Sequence, residues 1–349
     1  MATPATVIDV DGQSVRISNP DKVYFPSLGV TKMDVVQYFL AVGPGICSAL
    51  HHRPTTLERW PGGYQDGFRL TTRMGDKGEA FYQKRIPKTA PEWVPSAQVT
   101  FPSGRTADEV CPDSLAVVAW AANLGTLRFH PWPVTAAQPD QPDQLRIDLD
   151  PQPGTDFHDC AKVGLVVRET LAKYGLSAMP KTSGGRGLHI FAPIAPKWSF
   201  VEVRRAVIVI GREVAAALPG EVTMDWWKEE RGERVFIDFN QAARDRTMAS
   251  AYSLRPNSRA TASAPLQWDE VMDVMPEDFD IRTLPKRFAQ IGDPWAVQPP
   301  AGDLSALLDK AARDLHDHQM GDLPYPPEYP KMPGEPPRVA PSKRNPANW

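Results

Sequence analysis

The chain has 349 residues, 42% of them hydrophobic, and a formal net charge of −3. It is long enough for one large domain or two ordinary ones, and too apolar for wholesale disorder. The weak negative charge excludes a non-specific nucleic-acid coat protein. It does not exclude local contact with DNA, because affinity follows from where the cations sit. No apolar run is long enough to span a bilayer, and the opening MATPATVIDVDG lacks a signal-peptide pattern. Cys47, Cys111 and Cys160 lie far apart without metal-ligand spacing, which reads as free thiols in a reducing compartment. The expectation is a soluble, cytoplasmic protein.

Val15 to Ser18 is the first strand signal. Thr31, with Asp34 three residues on, starts a helix that runs toward Leu50 and meets an interruption at Gly43-Pro44-Gly45. Arg53 to Val99 is rich in Gly, Pro, aromatic and basic residues and predicts short strands and loops. A helix follows from about Asp113 to Leu124. Gln144 to Asp150 alternates as a strand, and Asp156 opens a helix to Tyr174 that Gly175 closes. Leu188 to Pro193 is a strand, Ser199 and Glu202 form a capping box before a helix to Leu218, and Arg234 to Phe239 is a strand. A helix near Leu304 to His318 precedes a proline-rich extended arm from Gly321. Strands and helices mix without strict alternation, so the pattern predicts α+β rather than a doubly wound parallel sheet.

In Leu145-Arg146-Ile147-Asp148-Leu149-Asp150-Pro151, strand alternation sends Leu145, Ile147 and Leu149 into a core and Asp148 and Asp150 to the other face. Neighbouring carboxylates repel unless a cation lies between them, and hard divalent ions prefer oxygen ligands. A lone pair of this kind is more often simply solvated. Its company is Val235-Phe236-Ile237-Asp238-Phe239, a carboxylate inside an apolar strand, costly to bury unless paired or metal-bound. Three converging aspartates could hold two metals roughly 3.5–4 Å apart. The bland reading pairs Asp238 with Arg234.

Lys181-Thr182-Ser183-Gly184-Gly185-Arg186-Gly187-Leu188-His189 predicts a phosphate loop. Its glycines would turn N–H groups inward as an anion nest, with Ser183, Arg186 and His189 as further donors. It is not the Walker pattern. Gly125 to Pro131, with His130, and Tyr252 to Pro256, with Ser253 and Arg255, fit the same site.

DLDP at Asp148, TSGGRGLH at Thr182, the Asp238 strand and YSLRP at Tyr252 stand in the order found in the polymerase domain of bacterial DNA ligase D, which this chain resembles from about residue 10 to about residue 295. DKVYFP at Asp21, RPTTLERWPGG at Arg53, FYQKRIPKTAPEWV at Phe81 and GTLRFHP at Gly125 add to the resemblance. It implies the archaeo-eukaryotic primase fold, with antiparallel and mixed central sheets flanked by helices. It implies a catalytic domain over 1–300, holding DNA ends with 1–130 and carrying the chemistry on 131–300, before a helix and arm over 301–349. Asp148, Asp150 and Asp238 would bind two Mn²⁺ or Mg²⁺ ions. His130, Ser183, Arg186, His189, Arg231, Ser253 and Arg255 would bind the nucleotide. Lys22 and Lys32 would hold a 5′-phosphate, Phe81 and Tyr82 would stack on the template base, and Arg59 and Lys84 would contact DNA. The family favours ribonucleotides and acts in end joining, which implies NTP or dNTP, Ku and a separate ATP-dependent ligase as partners, and association with the nucleoid. No K-x-D-G adenylation motif is present, so the expectation is a free-standing polymerase.

Three departures stand out. Glu58 replaces a lysine common before Arg59, which predicts weaker template contact. Tyr64 to Ala80, with Arg69, Arg73 and Lys77, is an insertion. Arg246 stands where lysine is common. Two other classes stay open: a non-catalytic DNA-end-bridging module working through Lys22 and Lys32, and a metal-dependent phosphodiesterase using the same triad.

Overall fold

A computed structural model describes residues 4–71 and 78–325. The chain opens with an antiparallel hairpin of β1 (Ala5–Val10) and β2 (Gln13–Ser18). Its turn, Asp11-Gly12, holds both residues at positive φ, which matches the twist of the flanking strands. A small ladder of β3 (Val23–Phe25) and β4 (Val30–Thr31) leads to Thr31, which caps the next helix reciprocally with Asp34. The predicted long helix is two, α1 (Lys32–Ala41) and α2 (Gly43–Leu50), bent by 79° at the expected glycine break. Glycine is required at position 45, where a Cβ would lie 2.4 Å from the Tyr252 ring.

The first large sheet is built from β5 (Thr55–Arg59), β6 (Leu70–Thr71), β7 (Ala80–Gln83), β8 (Ser96–Thr100) and β9 (Thr106–Val110), in the order β6-β7-β5-β9-β8. After α3 (Leu115–Asn123), β10 (Thr126–Pro131) runs antiparallel to β5. Seven consecutive residues of α3, Ala116 to Ala122, are buried, as expected of a helix apolar all round.

The second sheet carries β11 (Gln144–Pro151). It is followed by α4 (Phe157–Lys173), β12 (Met179–Thr182), β13 (Leu188–Pro193), α5 (Phe200–Ala217), β14 (Val222–Thr223) and β15 (Val235–Ile237). The order is β12-β13-β11-β15-β14, antiparallel except for β14 with β15. Asp156 and Ser199 cap α4 and α5, each in a capping box. Both helices pack on this sheet, so Leu145, Ile147 and Leu149 are fully buried against them. Two more helices, α6 (Thr283–Ile291) and α7 (Ser305–His318), complete the chain, and α7 lies on α5. The architecture is α+β, and one hydrophobic core joins Phe39, Leu57 and Phe129 to Ile147, Ile237 and Leu307. No single helix among the described residues is long and apolar enough to cross a membrane.

Arg146 ties the sheets together. It shares the face of Asp148 and Asp150, yet its guanidinium donates to the carbonyls of Pro131 (2.7 Å) and Trp132 (3.0 Å), at the exit of β10.

The strand expected over 234–239 stops at Ile237. Asp238 instead caps a short 3₁₀ turn, Phe239–Ala242, by accepting from the Asn240 N–H. An aspartate side chain that bonds the backbone two residues on diverts the chain from the ladder. Arg73 and Lys77 of the insertion lie outside the described residues, as does the arm beyond 325.

Candidate active site

The two aspartate strands are neighbours. Leu149 faces Ile237 and Asp150 faces Phe236, and the Asp238 N–H donates to the Asp148 carbonyl at 3.0 Å. Asp238 therefore sits at the end of the ladder opposite Asp148, while Asp150 is two residues further along the same face. Each carboxyl is pushed up. Asp148 reaches about 6 through burial, offset in part by Arg255 and Lys181. Asp150 reaches about 7, first through the charge of Asp148 and then through burial. Asp238 reaches about 6 through burial and then through the charges of Asp148 and Asp150. The bland alternative fails, because Arg234 pairs with Asp225 at 2.9 Å.

Oxygen donors that repel one another suit a hard cation. Asp148 Oδ1 is buried without a hydrogen-bond partner: His189 Nε2 lies 3.3 Å away but is not aligned to donate. An orphaned carboxylate oxygen beside two further carboxyls is where a divalent ion fits. As placed, no group of three or more His, Cys, Asp or Glu among the described residues forms a set that could hold a metal ion.

Behind Asp148 lies a buried relay that sequence reasoning missed. β12, β13 and β11 set Lys181, His189 and Asp148 in one row. Lys181 Nζ lies 2.8 Å from His189 Nδ1 and donates to Ser263 Oγ at 2.6 Å. Burial, then the charge of Arg255, push the Lys181 ammonium well below its ordinary value, so either Nζ or Nδ1 can be the donor in this contact. Burial, then the charges of Lys181 and Arg255, hold His189 well below its ordinary value. The cue in the sequence was Lys181 two residues before the glycine loop on an apolar strand.

The glycine loop packs directly on the aspartate strand. A Cβ at Gly187 would lie 2.3 Å from the Leu149 carbonyl oxygen, and Gly184 has φ +72°. The expected anion nest is already filled, because the N–H groups of Gly185 and Gly187 both donate to Ser183 Oγ at 3.1 Å. The hydroxyl stands in for the anion, which leaves its own proton as the donor. Arg255 donates twice to the Ser183 carbonyl (2.9 and 2.6 Å). Burial, then Arg128, lower its guanidinium to about 10. Arg186 is exposed at the loop tip and reaches the Pro151 carbonyl at 3.3 Å. Arg231 lies 3.4 Å over the Phe236 ring, within reach of the charges of Asp238 and Asp150. Ser253 is buried, and its Oγ accepts from the Phe129 N–H at 3.0 Å.

The first sheet closes the other side. His130 is buried, edge-on to Tyr82 at 5.4 Å, and its Nε2 lies 3.0 Å from Glu58 Oε2. Glu58, where a lysine is common in the family, is 0% exposed and points inward. It accepts from Trp60 (2.9 Å) and pairs with Arg128 (2.6 Å). Burial pushes its carboxyl up, but the His130 bond and Arg128 overcome that and hold it at about 2. Alternation along β5 puts Glu58 on the face opposite Arg59. Arg59 donates to the Leu124 carbonyl at 2.9 Å and to Gln83, and lies 5.2 Å over Phe81. Phe81 and Tyr82 are exposed aromatic side chains. Lys84 pairs with Asp245 at 2.6 Å.

Lys32 is buried, with Nζ on the Ser18 carbonyl at 2.7 Å. Burial, then Lys22, Arg59 and Arg16, push its ammonium down to about 8. Lys22 is exposed and donates to the Pro61 carbonyl at 2.8 Å. Residues named from the sequence thus fall into two clusters, Asp148, Asp150 and Asp238 in one and Lys22, Lys32 and Arg59 in the other.

Residues 31–295 match the family model described as LigD, primase-polymerase domain. The chain belongs to this family. It is 31% identical over 327 residues to the multifunctional non-homologous end joining protein LigD of Mycolicibacterium smegmatis, covering 91% of this chain and 40% of that protein. It is 29% identical over 299 residues to the bifunctional LigD of Bacillus subtilis, covering 84% of this chain and 46% of that protein. The chain thus spans less than half the length of these LigD relatives. Among solved structures, the polymerase domain from Mycobacterium tuberculosis ligase D in complex with DNA matches with a TM-score of 0.72 and 29% identity, over 80% of this chain and 96% of that one. The LigD polymerase family is one of nucleotidyltransferases, and its fold agrees with the α+β architecture described above.

Proposed function

We propose that the chain adds nucleotides, with a preference for ribonucleotides, to primer 3′-hydroxyls at the gaps, overhangs and broken ends met in end joining. The observation that carries this reading is the Asp238-to-Asp148 backbone bond, which brings three carboxylates together beside a glycine loop backed by Arg186, Arg231 and Arg255. Asp148, Asp150 and Asp238 would hold two divalent ions, Mn²⁺ or Mg²⁺. Bound there, such ions supply charge neutralisation of the triphosphate and acidify the primer hydroxyl.

The residues of the chain do the positioning. Ser183 offers its hydroxyl proton, Arg186 its exposed guanidinium and His189 its imidazole to phosphate oxygens. Arg255 braces the loop from below, and Arg231 balances the carboxylates. Phe81 and Tyr82 offer stacking faces for an unpaired template base. Lys22 and Lys32 offer cations to the 5′-phosphate across a gap. Residues 1–130 hold the DNA end and 131–300 carry the chemistry, with Ku and an ATP-dependent ligase as working partners in the cytoplasm.

The test is labelled-nucleotide extension of gapped, overhanging and unprimed DNA with each ion and both sugars. Incorporation with pyrophosphate release is expected. Release of nucleotides from DNA would instead identify a phosphodiesterase, and binding of ends without either product would identify a bridging module.

A further inference from the structure

Asp238 is held from behind by a series of contacts that ends in the C-terminal arm. Its Oδ1 accepts from the Asn240 N–H at 2.9 Å and its Oδ2 from Gln241 Nε2 at 3.2 Å. Asn240 is buried, and its side-chain oxygen accepts two bonds from Arg204 on α5, at 3.2 and 2.9 Å. The same guanidinium donates outward to the carbonyls of Leu323 (2.9 Å) and Pro324 (2.8 Å). It also lies against the rings of Phe239 (5.0 Å) and Tyr325 (4.1 Å). One planar cation therefore joins the turn that carries Asp238 to residues 323–325.

Two further arginines of α5 fasten the same segment. Arg205 grips Asp322 with two bonds, at 2.8 and 2.7 Å. Arg212 donates to the carbonyls of Met320 (3.0 Å) and Gly321 (2.6 Å). The fastened segment, residues 320–325, lies C-terminal to the residues that match the family model, which end at 295. Without the arm, two donor directions of Arg204 would lose their acceptors, and the fork would be free to turn away from Asn240.

We infer that residues 320–325 are a positioning element for the third carboxylate: the docked arm orients Arg204, Arg204 orients Asn240, and the Asn240 turn aims Asp238. The inference rests on the metal-triad reading above. Groups that orient a metal ligand from outside typically change metal affinity by about 10–100-fold.

The test is titration of Mn²⁺ into the metal-free full-length protein without nucleotide, with free Mn²⁺ counted by electron paramagnetic resonance. Asp322→Lys places a fourth cation among Arg204, Arg205 and Arg212, and is expected to weaken Mn²⁺ binding by about 10-fold. Adding Arg205→Glu restores the pair with reversed sign and should recover most of the loss. Arg204→Lys should weaken binding as well, since one ammonium cannot serve Asn240 and the arm together. Wild-type Mn²⁺ binding in both Asp322→Lys and Arg204→Lys would overturn the inference, as would a loss that the charge swap fails to recover. Asp238→Asn in the same titration separates the two readings. If it leaves Mn²⁺ binding unchanged, the triad itself is wrong. If it removes binding while the arm variants do not, only the arm inference falls.

Discussion

The N–H of Asp238 donates to the carbonyl of Asp148 at 3.0 Å, one step beyond the last β11–β15 pair. Residues that face each other across such a ladder have Cβ atoms about 5 Å apart, and like charges there destabilise the pair. The charge of Asp148 is the first cause of the raised Asp150 carboxyl and the second, after burial, for Asp238, whereas burial raises Asp148 itself.

Asp148→Ala and Asp150→Ala should each reduce nucleotide incorporation by about 10³-fold or more, the kinetic equivalent of several kcal/mol of charge stabilisation. DNA binding should survive, because Lys22 before β3, Lys32 on α1 and Arg59 on β5 all lie outside the sheet that carries the aspartates. Primer extension and a gel-shift assay on the same preparations check both halves. Incorporation near the wild-type rate in either variant would remove these residues from the mechanism.

The same crowding predicts a pH dependence. Asp150 titrates near 7 in the metal-free protein, whereas an unfolded aspartate titrates near ~3.9. Between these values the folded chain binds more protons than the unfolded one. The stabilising contribution of this group is therefore full below ~3.9 and lost as pH rises through about 7. Asp150→Asn removes that loss. The variant should melt at a higher temperature than wild type near pH ~8 without metal, and the difference should fade toward pH ~4. Comparing the two chains cancels His130 and His189, whose lowered values act in the opposite direction. Paired thermal melts in chelator decide it, and a variant less stable than wild type near pH ~8 would contradict the assignment.

Glu58 is the reverse case, a fully buried carboxylate held ionised by His130 and Arg128. Glu58→Ala would leave the Arg128 charge without its partner and should cost about 3–5 kcal/mol of stability. Denaturant unfolding measures this, and a loss under about 1 kcal/mol would contradict a buried, paired Glu58.

Lys32→Gln should reduce the preference for a gap bearing a 5′-phosphate over the same gap without one. The slope of log affinity against log salt should also fall by about one, as for the loss of a single phosphate contact. Titrations of both duplexes at several salt concentrations test this. An unchanged preference would assign Lys32 to holding Ser18 alone.

Much of the site was legible because its chemistry is local in sequence. Strand alternation placed Asp148 and Asp150 on one face, and the glycines around Arg186 marked a tight loop. The capping boxes at Thr31 and Ser199 fixed where two helices begin. Each signal depends only on side-chain period or on a bond spanning a few residues. What the sequence could not determine depends on residues that are distant in the chain. Glu58 read only as the loss of a lysine until β10 brought Arg128 and His130 across to it. Lys181 looked like part of a loop until β13 laid His189 beside it, and the bond from the Phe129 N–H to Ser253 Oγ joins residues far apart in the chain. Periodicity can assign a side chain to a face. Only tertiary packing decides which charges meet there, because Coulomb and hydrogen-bond energies depend on distances in space, and no local pattern encodes those.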